Sequence, residues 1–490
     1  MTTLREVLQG TGALLKGMKV TFGYIFRRHF NVPYPDRKIV LPPRFRGFLR
    51  IKDVIQSPIA PVNWQQAVDC TDAPGKMPPC MEACPDHQHA RDYIRFIQQK
   101  QYLQGLQISR LTMPYSGCLG RICTRPCEDA CRMGEEGESI AICQLKRFVA
   151  DWAAENVPMD QWDPVVEKHA GAERYRIAVI GGGPAGMTGA FILARYGYRV
   201  TVFERQPVLG GYLYTGIPPH RLPREVIERE SQSVLRYGVE ARMNCEVGRD
   251  IKFTDIYRDY DAVLLANGAI VPFGLGIPGE ELNGVHAGEL WLEEVCLGRG
   301  KRIGKKAVVI GLGLTAMDCA RCALRMGAEE VTFVYRRTRD IAPAPEHEIA
   351  DAEAEGCKLV ELVAPIRVIG EDGHVTGLEL QKMRLGDRDS SGRPQPIPIP
   401  GSNYIMPVDD ILTAISREPN YSFLPLELGF QLRRNKTMIV DENYMTHVPG
   451  VFAAGDNVVG AQTVIVAIGQ ARFASEAIAR YLKGQAPKAG

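Results

Sequence analysis

The chain has 490 residues, of which 45% are hydrophobic and 24% charged, and a formal net charge of +2. This composition is typical of a globular protein with about three or four domains, and it gives no electrostatic reason to expect a nucleic-acid partner. The sequence has no apolar run of ~18 residues and no N-terminal secretion signal, which predicts a cytoplasmic protein without a membrane-spanning helix.

Residues 1–60 are predicted to form an N-terminal docking arm with an amphipathic helix. Residues 1–52 hold eleven Lys and Arg against Glu6 and Asp36, a local charge of +9. Apolar and basic residues mix over 14–30, and a Pro-rich stretch follows. A short basic amphipathic helix suits a membrane surface or a partner's groove. We therefore expect residues 1–52 to allow peripheral contact with the inner face of the cytoplasmic membrane; the alternative is an unstructured basic tail.

Cysteines are concentrated in one segment, where eight of the thirteen fall within 74 positions. Disulfides are rare in the cytoplasm, whereas clustered thiolates commonly hold iron-sulfur clusters. Helical patterns between the cysteines predict a small α-helical iron-sulfur domain over residues 61–160. Two zinc sites are the alternative, but redox-silent zinc would not explain the nucleotide motifs that follow. The predicted ligands are Cys70, Cys80, Cys84, Cys118, Cys123, Cys127, Cys131 and Cys143.

A first dinucleotide-binding pattern begins after residue 176, as an apolar strand, a glycine turn, a helix and a second strand. Glycines at 181, 183 and 186 permit a tight turn, close approach of a pyrophosphate and close helix packing. The helix N-terminus adds N–H donors for the phosphates. Glu204 ends the next strand and is expected to accept a hydrogen bond from a ribose hydroxyl.

A second pattern starts near residue 307, with Gly311, Gly313, Leu314 and Thr315 at its turn. Arg336 and Arg337 end its next strand, where an acid would read the ribose of NADH. Guanidinium groups suit a 2′-phosphate, so NADPH is favoured over NADH. A solvated Arg pair beside an NADH site is the alternative.

The two patterns lie about 130 residues apart, which predicts that one nucleotide domain is inserted into the other. The expected α/β fold has two Rossmann-like domains: a nucleotide domain in two parts, 172–300 and 406–490, and an NAD(P) domain at 301–405 between them. Cys319 and Cys322 form a C-x2-C pair in the second unit's helix. Their small apolar neighbours favour buried structural thiols over a disulfide-reductase pair.

Five separated motifs carry a family resemblance: residues 120–128, 210–218, 221–223, 334–337 and 450–456. With them the chain resembles the glutamate synthase small subunit family, which includes relatives in dihydropyrimidine dehydrogenase and ferredoxin:NADP transhydrogenase, over about residues 65–485. The resemblance implies an oxidoreductase with FAD on the first unit, NADPH (or NADH) on the second, and one or two [4Fe-4S] clusters. The implied FAD contacts are Gly181, Gly183, Pro184, Ala185, Gly186, Glu204, Arg205, Gly211, Leu213, Arg221, Gly268, Gly455, Asp456, Thr463 and Val464. Because hydride passes from nicotinamide to flavin by positioning alone, no catalytic residue is named.

The resemblance also implies how the thiols are shared. One cluster would take Cys80, Cys84 and Cys123, with a fourth ligand near Cys143 and Gln144. The other would take Cys127 and Cys131, completed by Cys70 and Cys118. The chain departs from the family at Leu312 and Leu314 of the second turn and at Ser416-Arg417.

The N-terminal arm resembles the leader of the ferredoxin-like subunit of complex I and related hydrogenases. Together these features predict an electron-input subunit of a larger complex, in which NAD(P)H reduces FAD and FAD reduces the clusters, with redox or iron-sulfur subunits as partners. Three alternatives stay open: a soluble glutamate synthase small subunit, a non-catalytic adaptor that retains the nucleotide folds, and a disulfide reductase.

Overall fold

The computed structural model describes residues 77–135, 137–389 and 392–485. The predicted docking arm and Cys70 lie outside these ranges. The first described region is helical and, up to residue 175, contains no described strand. Its helices are α1 (Pro79–Glu82), α2 (Ala90–Gln98), α3 (Tyr102–Ser109), α4 (Ser116–Ile122), α5 (Pro126–Asp129) and α6 (Ile142–Asn156).

The helical region packs around its longest helix, α6. Tyr93 and Ile97 of α2, Leu106 of α3 and Val149 of α6 are each no more than 1% exposed and share one apolar cluster. Apolar residues recur at helical spacing on these short segments, so tertiary packing supplies the stability that isolated helices of this length lack.

The first nucleotide region follows in strand-helix alternation. Its elements are β1 (Arg176–Ile180), α7 (Pro184–Arg195), β2 (Arg199–Phe203), α8 (Tyr212–Thr215), α9 (Arg224–Leu235), β3 (Glu240–Arg242), α10 (Phe253–Asp259) and β4 (Ala262–Leu265). β1, β2 and β4 are mostly apolar and buried, as expected of a parallel sheet covered on both faces, whereas the edge strand β3 is polar.

The second nucleotide region has the same alternation and an antiparallel addition. Its elements are β5 (Val271–Pro272), β6 (Val285–Ala287), α11 (Gly288–Cys296), β7 (Lys306–Ile310), α12 (Leu314–Met326), β8 (Glu330–Tyr335), α13 (Glu346–Ala354), β9 (Lys358–Glu361), β10 (Val363–Glu371), β11 (His374–Arg388), β12 (Pro394–Pro398), β13 (Tyr404–Pro407), β14 (Asp410–Thr413) and β15 (Arg417–Glu418). Its parallel sheet has the order β6-β14-β7-β8-β9, and β10 to β13 form a four-stranded antiparallel sheet.

The chain then returns to the first region through β16 (Val451–Ala453), α14 (Asp456–Val459) and α15 (Val464–Lys483). The first sheet is parallel, with the order β16-β4-β1-β2-β3. α15 packs against α7 over this sheet. The predicted α/β class, with one nucleotide domain inserted in the other, is confirmed.

The limits of the inserted region differ from the predicted 301–405. β6 precedes that range and β14 follows it, yet both pair within the second sheet. The two connections between the regions run side by side as the antiparallel pair β5 and β15. The sequence did not reveal that these two strands belong to the second sheet, because β6 has only three residues and β14 only four. In the described ranges, no helix is both long and apolar enough to cross a lipid bilayer.

Candidate functional site

The first glycine turn has the shape that a pyrophosphate requires. Gly181 has φ +105°, and a Cβ there would lie 2.4 Å from the carbonyl oxygen of Ala266. Gly183 precedes α7, whose first residues are Pro184 and Ala185. A Cβ at Gly186 would lie 1.9 Å from the carbonyl oxygen of Gly181. No side chain therefore covers the backbone of the turn at the N-terminus of α7, where the free N–H groups can bind an anion.

Glu204 lies beside this turn at the end of β2, as predicted. It is 6% exposed and accepts hydrogen bonds from the backbone N–H groups of Gly182 (2.6 Å) and Gln206 (2.8 Å). Burial raises the pKa of its carboxyl, while these two hydrogen bonds oppose the rise. Gly210 donates its N–H to the carbonyl of Gly182 at 2.8 Å, so the loop that carries Gly211 lies on the turn.

Three of the predicted cofactor contacts have protein partners in this structure, and their role toward FAD stays a prediction. Leu213 is fully buried in the core of the first sheet. Arg205 lies near Glu293, at 3.3 Å. Arg221 pairs with Asp318 at 2.6 Å and with Glu348 at 2.5 Å, and both carboxylates belong to the second region. Arg221 thus joins the two nucleotide regions, a role that its motif did not reveal because its partners lie 97 and 127 positions away.

The remaining predicted flavin-side residues gather where the chain returns to the first sheet. Gly268 follows β4, and Gly455 donates its N–H to Gln470 at 2.8 Å. Asp456 pairs with Arg417 at 3.4 Å, and burial raises the pKa of its carboxyl against the effect of that arginine. Thr463 is the N-cap of α15, and Val464 is its first residue.

Arg417 and Tyr212 are site residues that the sequence did not single out. The guanidinium carbon of Arg417 lies 3.7 Å from the centroid of the Tyr212 ring, within the range of a cation-π contact. The Tyr212 hydroxyl lies 3.3 Å from that of Thr315 in the second turn. The sequence feature that could have indicated Arg417 as a site residue was the departure from the family pattern at Ser416-Arg417.

The second turn is built like the first, with Gly311 at φ +124° and Gly313 as the N-cap of α12. The two arginines predicted at the end of β8 have different surroundings. Arg337 is 3% exposed, donates to the carbonyl of Pro394 at 2.8 Å and pairs with Asp389 at 2.7 Å. Arg336 is exposed and lines the cleft beside the turn.

That cleft, of about 890 Å³, brings the three parts of the site together. Its walls include the second turn from Gly311 to Thr315, the start of α15 at Thr463 to Ile465, and Cys123 of the helical region. Tyr212, Arg417 and Arg393 also line it. The second glycine turn, the start of α15 and a predicted cluster ligand therefore line one cavity.

The thiols of the helical region fall into two groups. Cys84, Cys123, Cys127 and Cys143, which we term the four-thiol group, all lie within electrostatic range of the Lys146 ammonium. Cys80 and Cys131, which we term the two-thiol pair, lie within range of each other. The implied sharing stays a prediction, and this proximity favours placing Cys127 with Cys84 and Cys123.

Cys118 does not join either group. It is fully buried in the core of the first sheet, and its N–H donates to Glu230 at 2.9 Å. The pKa of its thiol is raised by burial and by the nearby Glu230 carboxylate. A carboxylate beside the thiol disfavours the thiolate that a metal needs, so the ligand role that the spacing of Cys118 predicted stays a prediction.

The arrangement of the thiols suits an iron-sulfur cluster better than a single metal ion. Among the described residues, no group of three or more His, Cys, Asp or Glu side chains is arranged to hold a single metal ion. A four-iron cluster joins four thiolates across several ångströms, and the four-thiol group offers four such ligands around one cation. Burial raises the pKa of Cys84 to about 11 and of Cys127 to about 12, which iron ligation would overcome. The residues fit the cluster.

The loop after Cys84 packs on the helix that begins at the cleft. A Cβ at Gly469 of α15 would lie 2.2 Å from the carbonyl oxygen of Pro85. One turn later, Arg472 donates to the carbonyl of Asp86 at 3.0 Å. The chain beside a predicted cluster ligand is thus fixed to α15 by backbone contact.

The C-x2-C pair of α12 lies in the core of the second region, as predicted. Cys319 is fully buried and Cys322 is 3% exposed; both are free thiols. Burial raises the pKa of both well above the ordinary value for a thiol. Low thiolate content and lack of access argue against disulfide exchange at this pair.

Comparisons with known proteins agree with this architecture. Residues 175–471 match the pyridine nucleotide-disulphide oxidoreductase family, and residues 50–157 match the dihydropyrimidine dehydrogenase domain II, 4Fe-4S cluster family. The first match implies FAD and a nicotinamide nucleotide as cofactors, and the second a 4Fe-4S cluster. In fold, the chain is similar to FprA from Mycobacterium tuberculosis in complex with NADPH, with a TM-score of 0.55 and 20% identity over 63% of this chain and 85% of that one.

Two relatives illustrate the range of the similarity. The chain is 39% identical to the NADP(+)-dependent formate dehydrogenase subunit beta of Moorella thermoacetica, over 83% of this chain and 60% of that one. It is 32% identical to the glutamate synthase [NADPH] small chain of Escherichia coli, over 83% of this chain and 89% of that one. The chain thus spans about 60% of the first relative's length. It belongs to the pyridine nucleotide-disulphide oxidoreductase family, as an oxidoreductase with an iron-sulfur region ahead of its nucleotide domains.

Proposed function

We propose that this chain is the NADPH-oxidising subunit of a larger electron-transfer complex. When bound, FAD accepts hydride from the nicotinamide and releases single electrons to iron-sulfur clusters. The chain's own residues hold the nucleotide on the second turn, hold the flavin between the first turn and α15, and hold the cluster in the helical region. The same path serves the reverse direction.

The shared cleft is the observation that carries this proposal. Thr463 at the start of α15, the second glycine turn and Cys123 all line it. A nicotinamide bound at the turn would therefore meet a flavin at α15, with a cluster ligand on the same wall. The contact of Gly469 with the Pro85 carbonyl supports the same path, because it fixes the Cys84 loop to the flavin helix.

The preference for NADPH rests on Arg336. Both arginines line the cleft, but Arg336 is exposed at the end of β8, whereas Arg337 is buried and paired with Asp389. Arg393 lines the same cleft and is a second candidate for the 2′-phosphate. The names of the formate dehydrogenase and glutamate synthase relatives also specify NADP(+) or NADPH.

Replacing Arg336 tests the nucleotide preference. Arg336→Gln should raise KM for NADPH roughly tenfold or more and change KM for NADH little, because a hydrogen bond to a charged group contributes about 1.5–3 kcal/mol. Arg337→Gln is the matched control and should act mainly on stability. An equal rise of both KM values for Arg336→Gln would remove Arg336 from phosphate recognition.

The cluster assignment divides the thiols into the four-thiol group and a second site. We propose that the four-thiol group holds one cluster and that the two-thiol pair contributes to another, with Cys70 among its remaining ligands. Iron and acid-labile sulfide per FAD, measured on anaerobically prepared protein, test this assignment. About eight irons indicate two clusters and about four indicate one, whereas a chain without sulfide would refute the electron path.

The partner is proposed to be a subunit that exchanges electrons with the clusters. Relatives are named as subunits of a formate dehydrogenase and of an NADPH-Fe(3+) oxidoreductase. A second candidate for the function of this chain is that of a glutamate synthase small subunit, because the chain covers 89% of the E. coli small chain. Copurification distinguishes the two candidates: a large amidotransferase subunit bound to this chain would identify it as a glutamate synthase small subunit. Membrane contact through residues 1–52 stays a prediction on a segment outside the described residues.

A rapid mixing experiment separates an enzyme from an adaptor. Purified protein mixed anaerobically with NADPH should lose its flavin absorbance near ~450 nm within seconds, as turnover at ordinary rates requires. An adaptor would retain that absorbance over minutes. That result would refute the catalytic proposal even if FAD is bound in full.

A further inference from the structure

A buried lysine faces the four-thiol group. Lys146 is 5% exposed and lies on α6, one turn after Cys143. All four thiols lie within electrostatic range of its ammonium group. Burying an ammonium group costs free energy unless opposite charge is near it. The position therefore needs a negative partner, and the thiols are what the fold places there.

The other charged groups near these thiols already have partners. The Asp86 carboxylate is within range of Lys146, but it accepts hydrogen bonds from Gln88 and Thr112. Glu128 accepts the N–H of Cys143 at 2.8 Å and lies 4.0 Å from Arg125. In the described part of the chain, Lys146 forms no ion pair with a carboxylate.

The next residue on α6, Arg147, is also cationic, but its side chain points to a partly exposed carboxylate. Arg147 turns toward Asp151, with a separation of 3.3 Å, and is 18% exposed. Lys146 has turned inward instead. A buried cation that forms no direct ion pair with a carboxylate is a poor choice for stability alone, which indicates a role at the thiols.

We propose that the Lys146 ammonium is a fixed positive charge beside the cluster of the four-thiol group and that it raises the reduction potential of that cluster. The inference rests on the cluster assignment proposed above. Reduction adds one electron, supplied by the reduced flavin, and therefore one negative charge to a site that four thiolates already make negative. A nearby cation stabilises the reduced form more than the oxidised form, and the effect is strong where solvent is excluded. Lys146 thus acts on the cluster through its charge and is not one of the cluster's ligands.

The test is a redox titration of the full chain, followed by electron paramagnetic resonance after iron and sulfide have been measured. Lys146→Met should lower the midpoint potential of one cluster, with about a tenfold fall in its ratio of reduced to oxidised form at a fixed potential, which is ~59 mV for one electron. Lys146→Arg keeps the charge and should keep the potential. Arg147→Met removes a charge from the same helix and should leave the potential near that of the wild type.

Three results would overturn the inference. The first is a Lys146→Met protein with full iron and an unchanged potential. The second is an equal shift in Arg147→Met, which would make the effect one of net charge. The third is loss of iron from both Lys146→Met and Lys146→Gln while Lys146→Arg retains it, which would assign the lysine to cluster assembly. None of these touches the proposed function, which fails separately if the wild-type chain contains no iron and sulfide.

Discussion

Gly469 provides the sharpest test of how the helical region meets the flavin helix. It lies in the interior of α15, where alanine is favoured over glycine by about 1 kcal/mol. On helix propensity alone, Gly469→Ala should stabilise the protein. The structure predicts the opposite sign, because a Cβ there would meet the backbone of Pro85 and Asp86.

The size of the effect follows from the geometry. The new Cβ would lie 2.2 Å from the Pro85 oxygen, and ordinary contact begins at 3.4 Å, so the two must separate by 1.2 Å. The loop cannot yield easily, because Arg472 binds the next carbonyl at 3.0 Å. Overpacking of this kind costs about 1–3 kcal/mol, and the propensity gain offsets about 1 of it. We expect a net loss of up to about 2 kcal/mol in the free energy of unfolding, instead of the gain of about 1 kcal/mol that helix propensity alone predicts.

Two measurements check this prediction. Urea unfolding gives the stability change, and stopped-flow mixing with NADPH separates flavin reduction from the later reduction of the clusters. In Gly469→Ala, flavin reduction should be nearly unchanged, whereas cluster reduction should slow because the Cys84 loop has moved from α15. Gly484→Ala, at the C-cap of the same helix, is the control: its Cβ would meet only the Tyr481 oxygen, at 3.9 Å, so the free energy of unfolding should stay within about 0.5 kcal/mol of the wild type.

A stabilised Gly469→Ala protein with wild-type cluster reduction would refute this reasoning. It would mean that Pro85 does not rest on α15 in solution. The route from flavin to cluster would then need another contact.

Three further predictions concern the second region. The double variant with serine at Cys319 and Cys322 should keep its NADPH oxidation rate, measured by flavin bleaching, because both thiols are buried; complete loss in a folded protein would revive the disulfide-reductase alternative. Arg221→Met should retain FAD, measured by absorbance, but lower the free energy of unfolding by about 3 kcal/mol, since it leaves the buried Asp318 carboxylate without its ion pair, whereas Glu348 keeps a longer contact of 3.7 Å with Arg321; loss of FAD with stability intact would return Arg221 to the flavin site. Burial opposes ionisation of Glu355, yet hydrogen bonds from two arginines of α12 lower its pKa to about 2. Because the pKa of Glu355 is lower in the folded than in the unfolded state, its ion pairs add to the free energy of unfolding above about pH 4.5, and this stabilisation is lost as pH falls toward about 2. Glu355→Gln should therefore cost roughly 1 kcal/mol at pH 7, after allowance for solvent screening, and little at pH 2 in urea titrations; a constant difference across that range would exclude the ion pair as its cause.

The sequence alone determined the class of the fold and the two glycine turns. Both signals are local: strand, turn, helix and strand follow each other within about 30 residues, and the backbone at Gly181 and Gly311 admits few other residue types. The cysteine count likewise predicted a metal-binding helical region, which the cluster-family match confirmed.

The tertiary structure decided which side chains meet. Cys84, Cys123, Cys127 and Cys143 come from separate elements, yet all lie within electrostatic range of Lys146 on α6. Arg221 turns to carboxylates of the other region. Spacing along a chain fixes the direction of a side chain only within one helix or strand, whereas these partners lie on separate elements whose relative placement depends on the packing of the whole core.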